Sequence, residues 1–195
     1  MKLVQIISIV SYFAITSIFA AIIWLYIDAL SLRFEVKSFL KFLAFSLLTL
    51  AFFFRLTQGI FNANFSNLEF WLQSSALWLI LASYLLDYHS KLQLLTIIGI
   101  ISIFFLKNYA LLAVQSFLIS VVILQISYST KHKDLIPLIS GFGLLSISEF
   151  FNHLEKVRGI QNFSLAANFV LLFASLTFFY WLWSYLAIRF SLGKT

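Results

Sequence analysis

Long apolar stretches separated by short polar turns dominate this chain. The stretches are continuous, whereas strands of a transmembrane barrel would alternate between apolar and polar positions. One helical crossing of a bilayer needs about 20 mainly apolar residues. The pattern predicts seven crossings, at residues 3–27, 38–58, 70–86, 92–106, 109–127, 135–151 and 165–190. We therefore predict an all-α integral membrane protein, with a single transmembrane domain over residues 1–195.

The first and fourth apolar runs each allow two interpretations. The first follows Lys2 and is longer than the core of a signal peptide, which has about 7–15 residues, so a retained span is expected. A single helix over 92–127 would be about 54 Å long, too long for an apolar layer of about 30 Å. We predict a tight hairpin at Lys107 and Asn108. A re-entrant fourth segment is the alternative.

The amino-acid composition excludes several classes of protein. Hydrophobic residues make up 62% of the chain and charged residues 10%, against about half and a quarter in soluble domains. A soluble globule and intrinsic disorder are both excluded. The loops are too short for an added soluble domain. Cysteine is absent, which excludes disulfides and thiol chemistry. The sequence contains no catalytic triad pattern, P-loop or metalloprotease motif, so we predict a non-enzyme without a cofactor.

The net charge of +6 would suggest a nucleic-acid partner in a soluble protein. Here the cations lie mostly at helix ends, where they set topology, so we expect a lipid bilayer and no nucleic acid. More of them fall on the side that holds the turn through Arg33 and Lys37 and the turn through Lys131 and Lys133. The positive-inside rule places that side in the cytoplasm. The N-terminus is then outside and the C-terminus cytoplasmic.

Two segments of the chain resemble each other. Residues 44–54 read AFSLLTLAFFF and residues 141–151 read GFGLLSISEFF. Each block is followed by a Gly-Ile pair and then by an Asn-Phe-Ser triplet, at 64–66 and 162–164. Two matches in the same order indicate a duplication: repeat one over 3–87, a connector helix at 92–106 and repeat two over 109–190. The repeats would be parallel, related by a pseudo-twofold axis along the membrane normal.

This three-one-three plan resembles the sugar-carrying SWEET and PQ-loop families in architecture. Those families carry Pro-Gln motifs, whereas the single proline here, Pro137, precedes Leu138, so their transport mechanism is not implied. The basic turn through Arg33 and Lys37, followed by a Phe- and Leu-rich helix ending at Arg55, resembles small uncharacterised seven-helix prokaryotic membrane proteins. Some of these are similar to membrane sensor regions of archaeal histidine kinases. This second resemblance implies sensing or signalling.

Arg55, Glu149 and His153 form the main candidate site. Glu149 and His153 are four residues apart and share a helix face, and Arg55 lies at the matching end of the repeat-related helix. An ionisable group inside a membrane segment indicates function by default, so a proton-linked or ligand-binding cluster is one interpretation. A structural Arg55–Glu149 pair is the other.

Further polar residues inside the spans could line a small-molecule cavity or hydrogen-bond neighbouring helices; they are Gln73, Ser74, Gln115 and Asn168. The Asn-Phe-Ser triplets match glycosylation acceptors, but Ser66 and Glu69 also have capping-box spacing, which we favour. The histidines, His89, His132 and His153, have no metal-ligand spacing, so no metal site is predicted.

The favoured function is a non-enzymatic sensor or ligand-binding module that acts through a protein partner or a homo-oligomer, with a small-molecule ligand. A small-solute or proton-linked carrier is the first alternative, and a structural accessory subunit of a larger membrane complex is the second. A carrier requires a polar central cavity that can open to both sides. A closed, dry core argues against transport.

Overall fold

The computed structural model describes residues 3–61, 65–86 and 108–192. Most of these residues are helical, and none of them lies in a strand. The predicted fourth span and Asn64, Asp87, His89 and Lys91 lie outside the described residues. The helices are α1 (Leu3–Leu32), α2 (Val36–Phe61), α3 (Ser66–Leu85), α4 (Tyr109–Thr130), α5 (Ile136–Arg158, after a short 3-10 turn at Lys133–Leu135) and α6 (Gln161–Leu192).

Five of the described helices, all except α3, are long and apolar enough to cross a membrane. The prediction of a multi-pass membrane protein is therefore confirmed, but only five of the seven predicted crossings are found among the described helices. α3 falls short because Glu69, Gln73, Ser74 and Ser75 lie within its 20 residues. Large apolar side chains are exposed on the outside of the bundle, as contact with lipid requires; examples are Trp24, Phe117 and Trp183.

The helices run past the predicted ends of the apolar runs. α5 was expected to end at residue 151, but it continues to Arg158 and stops where Gly159 adopts φ 68°. Glycine accepts this left-handed conformation without a steric penalty and commonly terminates helices. The apolar run therefore indicates only the part of the helix that faces lipid, and the helix continues beyond this part through polar residues.

The six helices form a closed ring. Each packs on the next one in the described chain, and α6 returns to pack on α1. Fully buried phenylalanines fill the centre, with Phe178 5.3 Å from Phe19 and 5.1 Å from Phe142 between ring centroids. Gly141 lets α5 approach this centre, because an added Cβ would lie 2.8 Å from the Phe178 ring.

Cross-helix hydrogen bonds fix the direction of the helices. The Gln5 side chain near the start of α1 bonds the Gly59 carbonyl near the end of α2, at 3.0 Å. Tyr109 and Gln115 of α4 bond Glu69 and Ser74 of α3, in the same order along both helices. α3 and α4 are therefore parallel neighbours, and residues 86 and 108 lie at opposite ends of the bundle.

The two similar blocks lie on α2 and α5 and have the same pattern of exposure. All eleven aligned positions of 44–54 and 141–151 fall into the same burial class. The buried pairs are Ala44 and Gly141, Phe45 and Phe142, Leu48 and Leu145, Ala51 and Ser148, and Phe52 and Glu149. The last pair places a carboxylate where the first block has a phenyl ring.

Candidate functional site

Arg55 lies in the last two turns of α2 with only 5% of its surface exposed. Its Nε donates to Glu69 Oε1 at 2.5 Å, and its Nη1 donates to Glu149 Oε1 at 2.7 Å. Nη2 donates to Gln73 Oε1 at 2.7 Å and to Glu149 Oε2 at 3.2 Å. One guanidinium thus joins α2, α3 and α5 through charge-assisted bonds.

Glu149 is fully buried on α5. Besides both Arg55 nitrogens, its Oε1 accepts from Gln73 Nε2 at 2.8 Å. Asn152 Nδ2 also donates to Oε2 at 3.4 Å. The structure therefore joins Arg55 and Glu149 as the sequence suggested, with Gln73 donating to one partner and accepting from the other.

Glu69 is a member of this site that the sequence did not reveal. It was interpreted as the second half of a capping box with Ser66 as the N-cap residue, but α3 begins at Ser66, and the N-cap position is taken by Phe65, whose side chain has no hydrogen-bond acceptor. Instead the buried carboxylate of Glu69 accepts from Arg55 and, at 3.2 Å, from the Tyr109 hydroxyl. Its spacing of four residues from Gln73 was the signal that could have indicated a shared face.

The Arg55 cluster, meaning Arg55, Glu69, Gln73 and Glu149, contains one guanidinium and two carboxylates. With all three ionised its net charge is −1. The Arg55 cluster therefore carries more carboxylates than cations, although the whole chain is cationic.

A polar cavity of about 390 Å³ lies against the Arg55 cluster. Residues of five helices line it: Gln5, Ser8, Tyr12, Arg55, Gln58, Gly59, Glu69, Tyr109, Asn152, Glu155 and Lys156. Lys156 is exposed at its rim, and the Lys156 ammonium lies 3.9 Å from the centroid of the Tyr109 ring. Arg55 Cζ lies 5.4 Å from the centroid of the same ring, so two cations lie close to Tyr109.

The floor of this cavity is apolar. Arg55 Cζ lies 5.1 Å from the Phe52 ring centroid, and Phe52 packs 5.7 Å from Phe19. Both phenylalanines are fully buried, as are Leu48 and Leu145 one turn further from the cluster. The polar cavity is therefore closed at its inner end by a hydrophobic core.

His153 does not join the cluster. It is half-buried on α5, and among the described residues its side chain makes no hydrogen bond or ion pair with Arg55 or Glu149. Four residues advance a helix by about 6 Å, which carries His153 past the Arg55 guanidinium. Of the three residues predicted to form the site, the structure brings two together.

The other predicted polar residues bridge helices outside the cavity wall. Gln115 Nε2 donates to Ser74 Oγ at 2.8 Å, between α4 and α3. Asn168 Nδ2 donates to Ser8 Oγ at 2.8 Å, and its Oδ1 accepts from Ser11 at 3.1 Å, which joins α6 to α1. Ser74, Gln115 and Asn168 thus have the packing geometry that was the alternative to cavity lining.

Over residues 3–61, 65–86 and 108–192, no three His, Asp or Glu side chains are close enough together to hold a metal ion. Comparison with protein-family models, with curated proteins and with solved structures found no match to this chain.

Proposed function

We propose that the protein is a non-enzymatic membrane sensor or ligand-binding module, which takes a small molecule into the cavity beside the Arg55 cluster and acts through a protein partner or a second copy. The observation that carries this proposal is the cavity itself. It is polar, is lined by charged groups from several helices, and has about the volume of a small-molecule site.

The closed floor favours binding over transport. A carrier must expose its site alternately to the two sides of the membrane. Beneath Arg55 the described helices present a packed aromatic layer through Phe52, Phe19 and Phe178. This layer supports the sensor over the carrier.

The proposed architecture is the seven-span bundle of two parallel three-helix repeats. The opposite positions of residues 86 and 108 support a crossing in the segment between them, because the chain must return to start α4. The matched burial of 44–54 and 141–151 and the shared direction of α1 and α4 support a parallel duplication. Under the positive-inside rule the cavity then faces the outside of the cell.

The test combines binding with flux. The protein in lipid nanodiscs is screened by thermal shift against amino acids, amines and small organic acids, and each compound that stabilises it is then measured for uptake into proteoliposomes. A ligand raises stability in proportion to the logarithm of its excess over Kd. We expect stabilisation without uptake. Uptake above that of empty liposomes would favour the carrier. If no compound stabilises the protein and it purifies with another protein in a fixed ratio, the accessory subunit would be favoured.

A further inference from the structure

We propose that the cavity binds a small organic monocation, such as an amine or a quaternary ammonium compound. The inference rests on the proposed ligand-binding function and assigns the ligand's charge and class. It follows from three features of the cavity: the excess of carboxylates over cations, the aromatic side chains in its wall, and the position of the Lys156 ammonium over the Tyr109 ring.

The charge favours a cation. Among the described residues the cavity wall carries the cations Arg55 and Lys156 and the carboxylates Glu69 and Glu155. Behind the wall, Glu149 pairs with Arg55. Three carboxylates against two cations leave one unbalanced negative charge, and a low-dielectric site strengthens its attraction for one positive charge.

The wall also offers aromatic faces to a cation. Tyr12 and Tyr109 line the cavity, and the Tyr109 hydroxyl donates to the Glu69 carboxylate. Ammonium groups bind over tyrosine faces and gain from nearby carboxylates. A ligand's ammonium over the Tyr109 ring would contact the aromatic face within a cavity whose wall also carries the Glu69 and Glu155 carboxylates.

Lys156 already occupies the face of the Tyr109 ring. Its ammonium lies 3.9 Å from the Tyr109 ring centroid, although the residue is exposed. It acts as a tethered cation that an incoming ammonium displaces. We therefore expect a mutation in the cavity wall to raise affinity instead of lowering it. Replacing Lys156 by a neutral residue should strengthen the binding of the ligand, because the ammonium no longer covers the Tyr109 ring and no longer repels the ligand's positive charge.

The experiment uses three probes of the same shape and different charge. They are choline, its neutral isostere in which carbon replaces nitrogen, and the carboxylate tert-butylacetate. Each is titrated calorimetrically into the full chain in nanodiscs of zwitterionic lipid. We expect choline to bind at least about tenfold more tightly than the isostere, and the carboxylate to bind least, because one close ion pair and one cation–π contact together account for about a factor of ten.

Two variants then test the geometry. Glu155→Gln should weaken choline binding about tenfold, and Lys156→Gln should strengthen it several-fold. Arg158→Gln is the matched control for Lys156, since Arg158 is exposed at the same helix end and does not line the cavity. We expect that control to change choline affinity by less than a factor of two, because exposed charges are screened.

Three results would overturn the inference. They are equal affinity for choline and its isostere, weaker choline binding by Lys156→Gln, and an unchanged affinity in Glu155→Gln. Tight binding of the carboxylate alone would refute the assigned charge while leaving the proposed ligand-binding function intact. Binding of none of the three probes would refute the inference, and the broader thermal-shift screen then decides the function separately.

Discussion

Arg55 and Glu149 are bonded to each other, but their loss should have very different consequences. The Arg55 cluster has one guanidinium between two carboxylates. Glu149→Gln leaves Arg55 paired with Glu69, so one positive and one negative charge remain. Arg55→Gln leaves Glu69 and Glu149 buried together without a cation. We therefore expect the arginine variant to be much the less stable of the two.

The loss in free energy of unfolding expected for each variant follows from the bonds that the substitution removes. Arg55 makes four side-chain hydrogen bonds, to Glu69, Gln73 and twice to Glu149. Removing the one cation of a buried ionic group costs about 3–5 kcal/mol of the free energy of unfolding. Gln at position 149 keeps the shape and one acceptor oxygen, so its cost should be about 1–2 kcal/mol.

The assay is reversible unfolding by SDS in mixed micelles, followed by far-UV circular dichroism. Arg33→Gln is the control, because Arg33 is exposed and pairs with Glu35 at 3.6 Å. Such a pair contributes no more than about 1 kcal/mol. In the Glu149→Gln background, Arg55→Gln should cost less than in the wild type, since only one carboxylate loses its partner. Equal costs for the two single variants would refute the charge count.

The remaining predictions concern packing and helix ends, and the same SDS titration measures them. Gly141→Ala should lower the free energy of unfolding by about 1–3 kcal/mol, because its Cβ would meet Phe178 at 2.8 Å; Gly59→Ala, whose nearest contact is 3.5 Å away, should not. Gln58→Ala should cost about 1 kcal/mol, because the Gln58 side-chain oxygen can accept two backbone N–H groups at the start of α3, including that of Ser66 at 3.1 Å. An effect of Gly59→Ala equal to that of Gly141→Ala, or none for Gln58→Ala, would contradict these assignments.

Sequence reasoning found the pair Arg55–Glu149 because both charges interrupt apolar blocks, and charge within lipid requires a partner. It missed Glu69 because the same residue satisfied a local capping pattern. Local spacing cannot show whether a carboxylate turns back to its own helix end or across to a neighbour. That choice depends on α2 and α3 packing together, which placed Arg55 beside the first turns of α3.

The helical class and most helices followed from hydropathy alone, whereas helix ends and the cavity did not. α5 exceeds its apolar run because lipid-facing length and helix length are different quantities. The cavity depends on side chains from five helices, including Tyr109 at the start of α4 and Gln5 near the start of α1. Both residues lie at the beginnings of apolar runs, where polar residues are common, so hydropathy does not single them out.

Site-directed thiol labelling tests the one-sided cavity most directly, and the cysteine-free chain provides a clean background. A single cysteine is placed at Asn152 in the cavity, at Leu145 in the core beneath, or at the exposed reference positions Gln161 and Thr130 at opposite ends. A membrane-impermeant maleimide is added to one side of oriented vesicles at a time. The account predicts that position 152 reacts only from the side of position 161 and that position 145 reacts from neither. Labelling of position 145 from the side of position 130 would show a path through the core and would contradict it.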